Sequence, residues 1–244
     1  DKASLTHALL RSVGIDSRLV LLRMRKLGRM GEQPASLAAF NHAILYVPDL
    51  DLYLDGTAEW SGAAELPEAD RGAEILVVHP DGRGERRRTG EGSAEENLHD
   101  SRLVLRILDD GSAVGEGQVT ALGLAAPGLR LAHASPNRRK QALERSWGQT
   151  HPGLTVGEVE ASDPRELDRP FSLRFSVEIP AFSEPASDGA RAFHPLGKQS
   201  RYLYTYAPLA RRTHDLVLPP PGRERTTVEV ELPEGAEVLE MPAS

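Results

Sequence analysis

Phe40-Asn41-His42, followed at close range by Tyr53-Leu54-Asp55-Gly56-Thr57, sets an imidazole and a carboxylate on two adjoining extended segments. An Asp that holds one ring nitrogen of a His fixes its tautomer and stabilises the imidazolium formed when a neighbouring nucleophile gives up its proton. The pair supplies two members of a thiol-protease-type triad. The third, a thiol, is not present in these 244 residues, which contain 0 Cys.

Whether the two side chains can meet depends on the parity of the turn between them. Residues 40 to 47 read as a strand rich in β-formers, Pro48-Asp49 as a turn, and Leu50 to Leu54 as the returning strand. A two-residue loop sets position 47 opposite 50 and His42 opposite Asp55, with Cβ atoms roughly 4.5–5.5 Å apart. A loop two residues longer makes them diagonal neighbours on the same face, whereas an odd loop sends them to opposite faces. A structural explanation competes with the chemical one. A His in a strand is commonly a packing residue, and an Asp before Gly-Thr is commonly a turn residue whose short side chain bonds the local backbone.

The ordered motifs resemble a known family. Asp1-Lys2-Ala3-Ser4-Leu5 through Leu9-Leu10-Arg11-Ser12-Val13-Gly14-Ile15-Asp16-Ser17-Arg18, then Phe40-Asn41-His42, then Leu54-Asp55-Gly56-Thr57, are similar to the transglutaminase-like superfamily. More narrowly, they resemble its bacterial branch, in which a papain-like core is flanked by β-rich domains. The resemblance covers about the first third of the chain by motif. It implies that His42 and Asp55 are the catalytic His and Asp, and that the catalytic Cys lies two positions ahead of Asp1, outside this sequence. It also implies a protein or peptide substrate, no cofactor or metal, a periplasmic or cell-envelope setting, and an N-terminal region of the same protein as partner.

Several elements must position the pair. Residues 3 to 13 read as a helix, with Leu5, Leu9 and Val13 repeating at four-residue spacing, Ala8 and Leu10 widening the stripe, and Gly14 as its left-handed stop with Ile15 as the apolar contact after it. A thiol at the start of such a helix would feel the positive end of its dipole, which enriches the thiolate. His7, within the helix, has no companion at metal-ligand spacing and reads as structural or solvated, and Ser4 is not placed to replace a thiolate. A strand at Leu19 to Arg25 follows, then a polar segment from Lys26 to Ser36 that reads as a mobile loop beside the site. Trp60, Leu66-Pro67 and Gly72 mark a loop returning to a buried strand at Ile75 to Val78.

The expected organisation is α+β: the C-terminal part of a transglutaminase-like core over residues 1 to 78, a linker over 79 to 97, and an antiparallel β-sandwich with one inserted helix over 98 to 244. The linker is poor in apolar residues, and its Arg86-Arg87-Arg88 triplet reads as solvated. In the second unit, Leu103 to Leu108 and Ala113 to Leu122 form a hairpin around Asp110-Gly111, and Ser135-Pro136 opens a helix ending at Gly148. Further strands are expected near 154–160, 171–179, 201–206, 226–232 and 236–239. Tyr202, Tyr204 and Tyr206 alternate as a sheet stripe, Leu218 to Gly222 is a stiff connector, and His133, His151, His194 and His214 are scattered without ligand spacing.

A net charge of −7 argues against a nucleic-acid footprint, and no apolar run approaches the roughly 20 residues needed to cross a bilayer. Two functions are compatible with these features. One is a thiol acyltransferase or amidase/peptidase acting on carboxamide or peptide bonds, to which this chain lends His42 and Asp55 but no nucleophile. The other is a noncatalytic envelope scaffold or interaction module built on the same fold.

Overall fold

A computed structural model describes residues 2–28, 30, 36–196, 205–213 and 216–241. The chain forms an α+β structure with two five-stranded sheets, each with its own hydrophobic core. The first unit comprises helix α1 (Lys2–Ser12) and strands β1 (Arg18–Arg23), β2 (His42–Val47), β3 (Leu52–Leu54), β4 (Glu74–Val78) and β5 (Gly84–Arg88). They pair antiparallel throughout, in the order β3-β2-β1-β4-β5. Val20, Leu22, Ile44, Ile75 and Val77 fill the core beneath.

Helix α1 ends as its sequence requires. Gly14 adopts φ 79°, its N–H bonds the Arg11 carbonyl at 3.1 Å, and the Ile15 N–H reaches back to the Leu10 carbonyl at 2.9 Å. That is a complete Schellman stop. The packing face, however, is not the stripe that four-residue spacing suggests. Ala3, Thr6, His7 and Leu10 turn inward, while Leu5, Leu9 and Val13 are 61, 59 and 69 % exposed. The helix thus seats its smaller, more polar face on the sheet, where Thr6 and Lys2 approach Gly56 closely.

The segment expected as a linker contributes strand β5, and the Arg triplet lies on it. The turn into it is closed by the His79 N–H on the Arg83 carbonyl and by Gly82 at φ 84°. Edge-strand alternation then explains the arginines. Arg87 turns toward the sheet, its guanidinium 5.1 Å from the Tyr46 ring centre and its Nε 2.6 Å from Glu85, while Arg86 and Arg88 face water. The rest of the stretch is also anchored. Thr89 is buried, and Asn97 donates to the Pro221 carbonyl at 2.8 Å and accepts from the Leu124 N–H at 3.0 Å.

The second unit is built on β6 (Leu98–Ile107), β7 (Ala113–Ala121), β8 (Thr155–Ala161), β9 (Phe171–Ile179) and β12 (Arg223–Glu231), ordered β12-β6-β7-β9-β8. The β6–β7 hairpin closes around Gly111 at φ 89°, as its Asp-Gly turn predicts. Two corrections to the sandwich expectation follow. The strand β12 joins the edge parallel to β6, and among the described residues no second large sheet faces this one. Instead, helices α2 (Ala126–His133) and α3 (Pro136–Trp147) cover it, with Ala126, Leu129, Leu143 and Trp147 packed on Phe171, Leu173, Phe175 and Val177. These helices give the sheet the apolar partner that a second sheet would otherwise supply. Helix α2 was not foreseen; its Pro127 lies in the first turn, where a proline costs no helical hydrogen bond.

Residues 236–239 are irregular and exposed rather than a strand. Of the expected strand at 201–206, only Thr205 and Tyr206 are described, and they are helical. Tyr202, Tyr204 and His214 lie outside the described residues, as does most of the loop from Lys26 to Ser36. A short hairpin, β10 (Ser183–Pro185) with β11 (Arg191–Phe193), was not foreseen. The Pro-rich connector leads directly into β12, as expected.

Arg130, 1 % exposed, ties the two units together. Its guanidinium donates to the carbonyls of Trp60, Leu167 and Arg169 at 2.8, 2.9 and 2.7 Å, with Glu65 at 3.8 Å. Removing it would leave part-buried acceptors of both units unpaired, at up to about 1–3 kcal/mol per group. Arg130→Met is therefore expected to lower the thermal midpoint by several degrees, and Arg130→Lys to restore little of it, because an ammonium cannot span the same three carbonyls. Equal midpoints for wild type and Arg130→Met in a calorimetric scan would show that the contact does not join the units.

Candidate functional site

His42 opens β2, and its position is set from both sides. The register pairs His42 with Leu22 of β1, and just before it the Asn41 N–H bonds the Leu22 carbonyl at 3.0 Å. The Asn41 side chain accepts from the Met24 N–H at 2.9 Å, which fixes the entry to the strand. Arg23 holds the approach by donating to the carbonyls of Leu27, Gly28 and Ala39.

The turn that returns the chain toward Asp55 is two residues longer than the tightest one. Val47 pairs with Leu52, Tyr46 with Tyr53 and Leu45 with Leu54, leaving residues 48–51 as the loop. Pro48 starts a 3₁₀ turn, the Asp51 N–H bonds the Pro48 carbonyl at 3.1 Å, and Asp51 sits at φ 46°. Tyr46 Oη donates to Asp51 Oδ1 at 2.8 Å and pins the loop to the strand. By this register Asp55 follows in line with Ile44, one pleat repeat from His42, so both side chains share a face as diagonal neighbours.

They meet. His42 Nε2 lies 3.1 Å from Asp55 Oδ2, with the His side chain 15 % and the Asp side chain 3 % exposed. The turn role of Asp55 is realised as well. Thr57 donates its N–H to Asp55 Oδ1 at 2.8 Å and its hydroxyl to the same carboxylate. One carboxylate therefore serves both the local Asx turn and the imidazole. Burial works against its charge, but the Thr57 donors and His42 outweigh that and hold Asp55 below the usual carboxylate range.

Gly56 lets α1 approach. A Cβ at this position would lie 3.3 Å from Thr6 Oγ1 and 3.7 Å from Lys2 Cβ, so the first turn of α1 packs directly beside Asp55. With Nε2 engaged by Asp55, Nδ1 is the ring nitrogen left without a bond to any described residue.

The structure adds a third group that sequence reasoning missed. Asp70 ends a 3₁₀ turn (Glu68–Asp70), is 1 % exposed, and places Oδ2 3.9 Å from His42 Nε2. Among the described residues, neither of its carboxylate oxygens has a hydrogen-bond donor. The turn is held by Thr89, whose hydroxyl donates to the Asp70 carbonyl and accepts from the Ala73 N–H. Nothing in Glu68-Ala69-Asp70-Arg71 sets this Asp apart from a surface acid; only the fold buries it. Burial first, and the Asp55 charge second, push its pKa up to about 7, with His42 opposing.

His42, Asp55 and Asp70 each offer one ligand atom within 4.8 Å of the others, and no other such trio occurs among the described residues. An imidazole nitrogen with two carboxylate oxygens is a donor set that could take a divalent ion. An ion would need the Nε2 lone pair, however, and that nitrogen is aimed at an acceptor, as an N–H donor would be.

The other described histidines do not join the site. His7 Nδ1 is 2.8 Å from Ser17 Oγ, His194 is exposed, and His133 and His151 are buried in the second unit. His133 stacks on Phe171 and His151 packs between Trp147 and Phe182, with burial lowering the pKa of each. No helix among the described residues is long and apolar enough to cross a membrane. Comparison with protein-family models, with curated proteins and with solved structures finds no match to this chain.

Asp70 also makes stability depend on pH. Its folded pKa is raised, so the folded protein holds a proton that the unfolded chain releases near pH 4. The associated stability is complete below about pH 4 and is lost as pH rises through about 7. Chemical denaturation from pH 4 to 8 is expected to show wild type losing stability relative to Asp70→Asn. A difference that stays flat across this range would mean that Asp70 is ionised throughout.

Proposed function

We propose that this chain carries the His–Asp half of a transglutaminase-like thiol acyl-transfer site, acting on carboxamide or peptide bonds of a protein or peptide substrate. The observation that carries the proposal is the His42–Asp55 bond at 3.1 Å, lying beside the first turn of α1 where that turn packs on Gly56. The family resemblance assigns the nucleophilic Cys to the position two ahead of Asp1, near the start of α1, where the helix dipole would favour its thiolate.

In this mechanism His42 Nδ1 takes the thiol proton as sulfur attacks the carbonyl carbon. The imidazolium, steadied by Asp55 at Nε2, then returns the proton to the departing ammonia or amine, leaving a thioester on the enzyme. Water or an acceptor amine, deprotonated by the same imidazole, resolves it. The setting that fits the resemblance is the periplasm or cell envelope. A noncatalytic scaffold is the second reading, favoured by the apolar stripe of Leu5, Leu9 and Val13 that α1 leaves exposed.

The test is made on the gene-encoded protein that includes the residues preceding Asp1. A cysteine two positions ahead of Asp1 is expected, alkylating with a pH profile below the ordinary thiol value of about 8.5. His42→Ala is expected to cut turnover of a carboxamide substrate by about 10²–10⁴-fold, and Asp55→Asn by less. Full turnover in His42→Ala, or no cysteine at that position, would leave the scaffold reading ahead.

A further inference from the structure

We propose that Asp70 is a positioning residue for the His–Asp pair: it carries a proton that it donates to Asp55, and this bond holds the Asp55 carboxylate against His42 Nε2. The proposal rests on the pair having the role given above.

The case begins with hydrogen-bond supply. Asp70 is 1 % exposed, and neither carboxylate oxygen finds a donor among the described residues. An ionised carboxylate only accepts, so two such groups side by side cannot satisfy one another, whereas one proton between them satisfies both. The two carboxylates share one site, with one oxygen of each and His42 Nε2 all within 4.8 Å of one another. Like charges this close and this buried do not both ionise, and the lower-cost member keeps its charge. Asp55 is that member, because it already accepts from Thr57 at 2.8 Å and from His42 at 3.1 Å. The proton therefore belongs to Asp70.

Other charged groups around Asp70 are directed elsewhere. On its own turn, Arg71 donates to the Leu66 carbonyl at 3.0 Å and is balanced by Glu96 and Glu65, and Glu68 is exposed. From the 3₁₀ turn packed against it, Arg25 donates to the Leu218 carbonyl at 3.0 Å. From β2 and the segment after β3 come His42 and Asp55 themselves. Among the described residues, only His42 stands as an ion-pair partner to Asp70.

The functional consequence is directional. With its proton, Asp70 is neutral and presses Asp55 toward the imidazole. Without it, the proton passes to solvent, the two carboxylates repel, and Asp55 is free to turn away from Nε2. The pair then has an alkaline limit set by a residue that touches neither substrate nor nucleophile.

The test uses the present chain, without thiol or turnover, so its outcome is separate from that of the acyl-transfer reading. The lifetime of the His42 Nε2–H proton is followed by NMR from pH 5 to 9, with His42→Gln identifying the signal. Wild type is expected to hold the proton in slow exchange at low pH and to lose at least ten-fold in lifetime as pH passes about 7. Asp70→Asn, whose amide donates to Asp55 without ionising, is expected to keep slow exchange to the alkaline end, while Asp70→Ala loses it throughout. If Asp70→Ala leaves the lifetime unchanged, or if Asn behaves as Ala does, the positioning role is overturned. It is overturned too if micromolar Zn²⁺ displaces the Nε2 proton in wild type but not in Asp70→Asn, since the trio would then be a metal site.

Discussion

The fold of the first unit turns on the even-length loop between β2 and β3. Because side chains alternate along a strand, a single residue more or fewer would send His42 and Asp55 to opposite faces of the sheet. Four residues, Pro48 to Asp51, preserve the parity, and the loop is fixed by Asp51 in the left-handed region and by Tyr46 Oη on its carboxylate. Everything else near the pair elaborates this constraint. The β1 register seats His42, Thr57 orients Asp55, and Gly56 lets α1 come close.

Burial then converts a surface turn into a charged cluster with chemical character. Three titratable groups share a space from which water is nearly excluded, so their protonation states are set mutually rather than singly. Asp55 is held ionised by donors and Asp70 is pushed toward neutrality by burial and by Asp55. Two carboxylates with opposed environments beside one imidazole form the type of arrangement that separates acid from base roles in active sites.

The local parts of this arrangement were legible in the sequence. Strand alternation gave the shared face of His42 and Asp55, including the longer-loop case that the molecule adopts, and Asp-Gly gave the β6–β7 turn. What stayed hidden was non-local. Asp70 is ordinary in its own segment and becomes special only because Thr89, 19 residues away, pins its turn beneath β2. The parallel docking of β12 on β6 depends on contacts across more than 120 positions, which no local pattern carries. The face of α1 that packs was also misjudged, since periodicity finds apolar stripes but does not say which stripe meets the sheet.

The central claim is that His42 and Asp55 interact directly in the folded protein. A double-mutant cycle on stability with His42→Ala, Asp55→Ala and the double variant, measured by chemical denaturation at neutral pH, tests it most directly. A largely buried, charge-assisted hydrogen bond should appear as a coupling energy of about 1–3 kcal/mol. Additive effects, with coupling within about 0.3 kcal/mol of zero, would contradict the pair on which this account of the site rests.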